Sequence, residues 1–225
     1  MLIVIEGLDG SGKSTQVARL RKYLSEGPLP LKYIHFPRYD APVYGDLIGR
    51  YLRGDFGSLE TVHPNLVALL FAEDRHGAAP GMRRHLERGD IVLLDRYVYS
   101  NIAYQCAKLP EGEERNALRD WIFTTEYEKF DIPRPDLNVF LDVPISFVKS
   151  KLTKDRPGAD REYLEGGRDI HEADIAFQMS VREIYLEQCR RDPSFLRVDC
   201  SSEDGSMLSP DRIFERLKAV VDKTL

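Results

Sequence analysis

The amino-acid sequence predicts a three-layer α/β/α fold on a five-stranded parallel sheet, and three observations predict it. Five short apolar runs rich in β-branched residues alternate with longer stretches of helical period from one end of the chain to the other. No stretch of the 225 residues reads as a linker, a repeat or a low-complexity tract, so residues 1–225 are expected to form one domain. Hydrophobic residues make up 42% and charged residues 31%, the balance of a globular chain with a sizeable core.

The runs at 2–6, 32–36, 91–95, 137–143 and 195–199 are bounded by Pro, Gly or Asp and read as buried strands. Helical patterns occupy 13–25, 43–53, 64–88, 113–129, 145–155, 171–191 and 210–223. The last starts with Pro210 behind Ser209, proline at the first helical position after a good N-cap. A βαβα rhythm needs crossover connections, which make the strands parallel and put helices on both faces. Ligands of such sheets bind beyond the carboxyl ends of the strands. The residues following each strand are therefore the ones to examine.

Composition removes several classes of function. Cys106, Cys189 and Cys200 are an odd number without metal-ligand spacing, which argues against zinc sites and disulfide scaffolds and for a reducing, cytoplasmic setting. The opening apolar run is too short to span a bilayer or to serve as the apolar region of a signal peptide. Against 32 Lys and Arg stand 37 Asp and Glu, a net charge of −5. That balance disfavours a broad nucleic-acid-binding face but leaves room for a small anion met by locally gathered cations.

After the first strand comes Gly7-Leu8-Asp9-Gly10-Ser11-Gly12-Lys13-Ser14-Thr15, which fits G-x-x-x-x-G-K-[ST] at every fixed position, between a predicted strand and a predicted helix. Glycines permit positive φ and close approach, so successive backbone N–H groups point at phosphate oxygens, and the helix N-terminus adds partial positive charge. Lys13 is placed to reach the β and γ phosphates and the Ser14 hydroxyl to ligate magnesium. The fold expectation sharpens to a P-loop NTPase-type α/β/α sandwich that binds a nucleoside triphosphate.

The remaining motifs narrow what is done with it. No N-K-x-D base-reading string of a switch GTPase is present. The third strand ends Asp95-Arg96, an acid able to hold magnesium-bound water followed by a guanidinium, and Arg38 closes the second strand after Phe36-Pro37. Both arginines lie beyond strands of a common sheet, where a guanidinium fork matches phosphate. A glycine-punctuated, arginine-rich segment at about 154–170 holds Arg156, Arg161 and Arg168; its composition fits a lid and a solvated loop equally. Two unit negative charges at 4 Å repel by about 4 kcal/mol at an effective dielectric of 20. Transfer between two phosphates therefore needs intervening cations, and this chain gathers them. The pattern favours a kinase whose acceptor is itself a phosphate.

The motifs resemble those of the thymidylate kinase family. The resemblance rests on Ile5-Glu6 with the phosphate loop, Phe36-Pro37-Arg38-Tyr39, Phe71-Ala72-Glu73-Asp74-Arg75, the string from Asp95 to Gln105 (Asp-Arg-Tyr-Val-Tyr-Ser-Asn-Ile-Ala-Tyr-Gln), and the run from Pro135 to Val143. It implies that Phe71 and Arg75, four apart on a predicted helix, stack a pyrimidine and donate to its exocyclic oxygen. It further implies that Asp9 accepts from the sugar 3′-hydroxyl, and that Phe36, Ser100, Asn101 and Gln105 line the acceptor seat. By the same resemblance Tyr104 crowds the sugar 2′ position, Arg38 and Arg96 hold the acceptor phosphate, and Asp95 orients magnesium-bound water.

Some family members carry arginine in the loop where this chain has Gly10 or Ser11. By analogy the charge comes here from the lid, through Arg156 and Arg161, with Arg168 third. The implied reaction is transfer of the γ-phosphoryl group of Mg-ATP to dTMP by a homodimeric enzyme. The alternatives are a kinase for another nucleoside monophosphate or a deoxynucleoside and, in another class, a non-catalytic nucleotide-binding switch.

Overall fold

In the computed structural model, which describes residues 1–152, 164, 169–172 and 174–225, five parallel strands form one sheet in the order β2-β3-β1-β4-β5. The strands are β1 (Leu2–Glu6), β2 (Leu31–His35), β3 (Ile91–Asp95), β4 (Leu137–Asp142) and β5 (Phe195–Asp199). Every residue of β1, β3 and β4 is buried, as continuous apolar runs covered on both faces require. The edge strands β2 and β5 are only partly covered. The register pairs Ile5 with Asp95 and His35 with Asp95, so the polar residues ending three strands arrive at one level. After β3 the chain crosses β1 to form β4, and the crevice beyond this boundary receives the loops that follow β1 and β3.

The helices are α1 (Lys13–Ser25), α2 (Tyr44–Arg53), α3 (Pro64–Glu87), α4 (Val98–Cys106), α5 (Glu113–Phe123), α6 (Ile145–Leu152), α7 (Ile175–Arg191) and α8 (Pro210–Val221). α8 follows the local rules: the Ser209 hydroxyl accepts from Arg212 N, Pro210 opens the helix, and Ile213, Leu217 and Val221 bury one stripe. α1 does likewise with Val17, Leu20 and Leu24.

Three expectations need correction. α4 was absent from the helical patterns read in the sequence, because all nine of its residues are buried and polar Ser100, Asn101 and Gln105 interrupt any apolar stripe. The single helix expected at 113–129 instead changes to a π-helical turn at Thr124–Lys129, a wider winding that periodicity does not reveal. α7 starts at Ile175 instead of 171, since Asp174 caps it by accepting from Ala176 N. The expected lid, with Arg156, Arg161 and Arg168, lies outside the described residues except for Leu164, Asp169 and Ile170.

Candidate active site

β1 delivers the chain into a tight loop in which Gly10 and Gly12 adopt left-handed angles (φ 71° and 79°), a conformation that strains any L side chain. Gly12 is the N-cap of α1 and no side chain caps that end, so the first-turn N–H groups face the loop mouth. Gly7 lies beneath the loop against Ser11 Oγ and the Lys13 stem. Lys13 is buried and ion-pairs with Asp95 Oδ1, while His35 Nδ1 stands 3.2 Å from Asp95 Oδ2. Burial alone would raise the Asp95 carboxyl, but the Lys13 charge and the His35 hydrogen bond outweigh it and hold it well below the usual carboxylate range. Burial pulls the Lys13 ammonium down, with Asp95 opposing.

A cavity of about 610 Å³ opens on this loop. Leu8, Asp9, Gly10, Ser11, Gly12, Lys13 and Ser14 form one end of it; Thr15 does not reach the wall. The other end is built by α3 and α4, which bring Phe71, Arg75, Ser100, Asn101, Tyr104 and Gln105 to the same space. Phe36 and Tyr39 close one side.

Each acceptor-end side chain is held from behind. Arg75 is 2% exposed and donates through Nε and Nη2 to Glu126, which sits on the π-helical turn (Nη2 to Oε1 2.7 Å). Burial of this guanidinium is overcome by the Glu126 charge, which raises its pKa. Asn101 Nδ2 donates to Glu126 Oε1 (2.9 Å) and to Ala68 O (3.0 Å), leaving Asn101 Oδ1 buried without a partner among the described residues. Beneath them Glu6 accepts from Tyr97 N (2.9 Å), Ser100 N (3.1 Å) and Tyr185 OH (3.0 Å), and burial pushes its carboxyl up.

Between the two ends lies Arg96, at φ 69° in the turn after β3. Such an angle is strained for arginine and is fixed here by its N–H bond to Ile5 O (3.0 Å). The turn sends the guanidinium back across the cavity, where it donates to Asp9 Oδ1 (2.6 Å) and Ser100 Oγ (3.1 Å). Asp9 Oδ2 also accepts from Tyr104 OH (2.7 Å) and Gln178 Nε2 (3.2 Å). Burial would raise Asp9, but Arg96 and Tyr104 lower it further.

Arg38 stands apart. Its neighbours line the cavity, but its own backbone N and Nε donate to the Asp74 carboxylate (2.9 and 2.8 Å) and Nη2 to Asp74 O (2.6 Å). The sequence reading also missed His35, Asp74, Glu126, Lys151, Asp169, His171 and Glu172 as parts of this region. An acid ending a wholly apolar strand, as at Glu6, is a signal that a buried partner exists. Glu126 and His171 give no local signal, because their partners lie far away in sequence.

Magnesium suits the donors present. Ser14 offers a hydroxyl to the cavity and Asp95 an ionised carboxylate behind it, both hard oxygen ligands. Among the described residues no three His, Cys, Asp or Glu gather into a group that could hold a metal ion. No helix among the described residues is long and apolar enough to cross a membrane.

A five-stranded parallel sheet, a phosphate loop at its switch point and a second polar seat in the same cavity define an ATP-dependent nucleoside monophosphate kinase, a transferase. A sequence model described as "Thymidylate kinase" matches residues 5–207. The thymidylate kinase of Mycobacterium tuberculosis (strain CDC 1551 / Oshkosh) is 34% identical over 188 residues, covering 83% of this chain and 85% of the relative. A probable thymidylate kinase of Pyrobaculum aerophilum is 34% identical over 225 residues, covering 97% of each. The solved structure of thymidylate kinase from Candida albicans superposes with a TM-score of 0.72 at 29% identity, over 99% of this chain and 91% of that one. The chain belongs to the thymidylate kinase family.

Proposed function

We propose that this chain transfers the γ-phosphoryl group of ATP to dTMP, giving ADP and dTDP, with the phosphate loop seating the donor and the α3–α4 wall seating the acceptor. The observation that carries this reading is the single cavity with a phosphate-binding loop at one end and a base-sized, hydrogen-bonding seat at the other. Phe71 offers a ring face to the pyrimidine, Arg75 donates to its 4-carbonyl, and the unpartnered Asn101 Oδ1 accepts from N3–H. Cytosine would set an amine against the Arg75 guanidinium; a stranded buried polar group costs about 1–3 kcal/mol. Tyr104, bonded to Asp9, is assigned to crowd the sugar 2′ position, as the family resemblance implies.

Lys13 and the loop N–H groups hold the β and γ phosphates, and Arg96, already aimed across the cavity, meets the acceptor phosphate. Arg38 joins it by leaving Asp74, and Arg156 and Arg161 supply charge from outside the described residues. Ser14 and, through water, Asp95 would hold magnesium, whose charge would offset that of the phosphate oxygens. The attacking phosphate oxygen is already ionised at neutral pH, so alignment and charge stabilisation do the catalysis and no side chain serves as base. A homodimer, the family's assembly, would cover Leu66 and Leu69, which are exposed one turn apart on α3; sedimentation gives its mass.

The test is ADP release from Mg-ATP with dTMP, dUMP, dCMP, AMP and thymidine supplied separately. Preferential use of dTMP supports the reading. Preference for AMP or for thymidine, or release that no acceptor stimulates, overturns it.

A further inference from the structure

Behind the acceptor seat, Lys108 follows α4 and turns its ammonium inward. Nζ donates to Gln105 Oε1 (2.7 Å) and to Tyr51 OH (2.6 Å), and it stands 5.0 Å from the centroid of the Tyr51 ring. Among the described residues it has no carboxylate partner, and desolvation pushes it down to about 7. A half-buried lysine without a counter-ion is costly to keep. Its two acceptors show what it does.

In its protonated form Lys108 has donors only and so turns the Gln105 amide oxygen toward itself and the NH2 elsewhere. Gln105 lines the cavity, and its Nε2 has no hydrogen-bond partner among the described residues. Tyr51, 1% exposed on α2, is fixed in the same way. With its oxygen accepting from Lys108, its own proton is directed to His171 Nε2, 3.3 Å away, which burial keeps neutral by pushing the imidazole down to about 3. The Tyr51 ring in turn meets Phe71 edge-on at 6.4 Å and His171 at 5.7 Å. One cation thereby fixes an amide on one wall of the acceptor seat and the ring that buttresses the stacking residue on another.

We propose that Lys108 is a positioning residue for the acceptor: it locks the Gln105 amide with NH2 facing the cavity, as a donor to a carbonyl-bearing base, and pins Tyr51 behind Phe71. The inference rests on the acceptor-seat reading above. It assigns Lys108 no contact with either nucleotide.

The test measures dTMP binding by calorimetry together with steady-state KM and kcat, in wild type, Lys108→Met and Lys108→Gln. Glutamine at 108 offers both a donor and an acceptor and so no longer dictates the amide orientation. For the value of about one hydrogen bond, dTMP Kd and KM should rise about three- to tenfold in both variants, with ATP KM within about twofold. The melting temperature of Lys108→Met should match or exceed wild type, because a buried uncompensated charge is removed. In a Gln105→Ala background the effect of Lys108→Met on dTMP should shrink, since the two act through one contact. Unchanged dTMP Kd in both variants, or an undiminished effect without Gln105, overturns the inference while leaving dTMP turnover by wild type intact. A wild-type enzyme that neither binds nor phosphorylates dTMP overturns the acceptor-seat reading and this inference with it.

Discussion

The two ends of the cavity are built on different principles. At the donor end, residues 7–15 are contiguous, and the recognising groups are backbone N–H groups set by two positive-φ glycines and a helix N-terminus. At the acceptor end, side chains do the recognition, and several are fixed by partners remote in sequence: Arg75 by Glu126, 51 positions away, and Ser100 by Tyr185, 85 positions away. A backbone-built seat is specific for charge and tolerant of the nucleotide's identity. A side-chain seat backed by buried ion pairs can discriminate between bases, and it depends on the whole fold being correct.

The largest effect separates the ends most sharply. Lys13→Ala should lower turnover about a thousandfold or more while leaving the folded protein intact by circular dichroism, because its charge acts on the transferring group. Near-normal ADP release from such a variant would remove the donor-end account.

Glu126→Ala tests the opposite property. It leaves the Arg75 charge buried and unpaired, so denaturant titration should show a loss of about 3–5 kcal/mol. Asp211→Ala, which breaks the exposed Arg19–Asp211 pair, should cost about 1 kcal/mol or less. Equal losses at the two sites would mean that the acceptor end is not held by its buried network.

Arg96→Lys should raise dTMP KM about tenfold with ATP KM nearly unchanged, since lysine lacks the fork that spans Asp9 and the acceptor phosphate. Acid titration probes the donor end through Asp95, whose folded-state pKa lies below its ordinary 3.8. The stability this gives is present above pH 3.8 and is lost as pH falls through the lower folded value. Melting temperature against pH should therefore fall less steeply in this acid range for Asp95→Asn than for wild type.

The smallest effect concerns Arg38. A Cβ at Gly77 of α3 would lie 3.2 Å from Arg38 Nη2, so Gly77→Ala nudges the guanidinium off Asp74 while improving helix propensity by about 1 kcal/mol. Stability should hold or rise, and dTMP KM should move by about two- to threefold. A large drop in melting temperature would show that the Arg38–Asp74 contact serves the fold instead of the acceptor.

The same contrast explains what was readable from the residues. The phosphate loop, Arg96 after the third strand and the Phe71–Arg75 pair are local patterns, and each appears on the cavity wall, with Asp95 behind it against Lys13. α4 was missed because a helix buried on all sides has no polar face to mark its period. The π-helical turn that presents Glu126 was read as ordinary helix, because π and α windings share composition. Arg38 was expected at the acceptor phosphate, yet it is turned onto Asp74, a choice that sequence position does not encode.

From the chain alone came the βαβα order, the parallel sheet, the phosphate-binding loop and the family resemblance, because each rests on short-range spacing or on one contiguous string. Tertiary packing decided which acids back the cavity arginines, which way the Gln105 amide faces, and that Lys108, Tyr51 and His171 meet behind the acceptor seat. Apart from Gln105–Lys108, three residues apart, those contacts join elements distant in sequence. Their energies come from desolvation and pairing, which exist only once the surrounding core has excluded water.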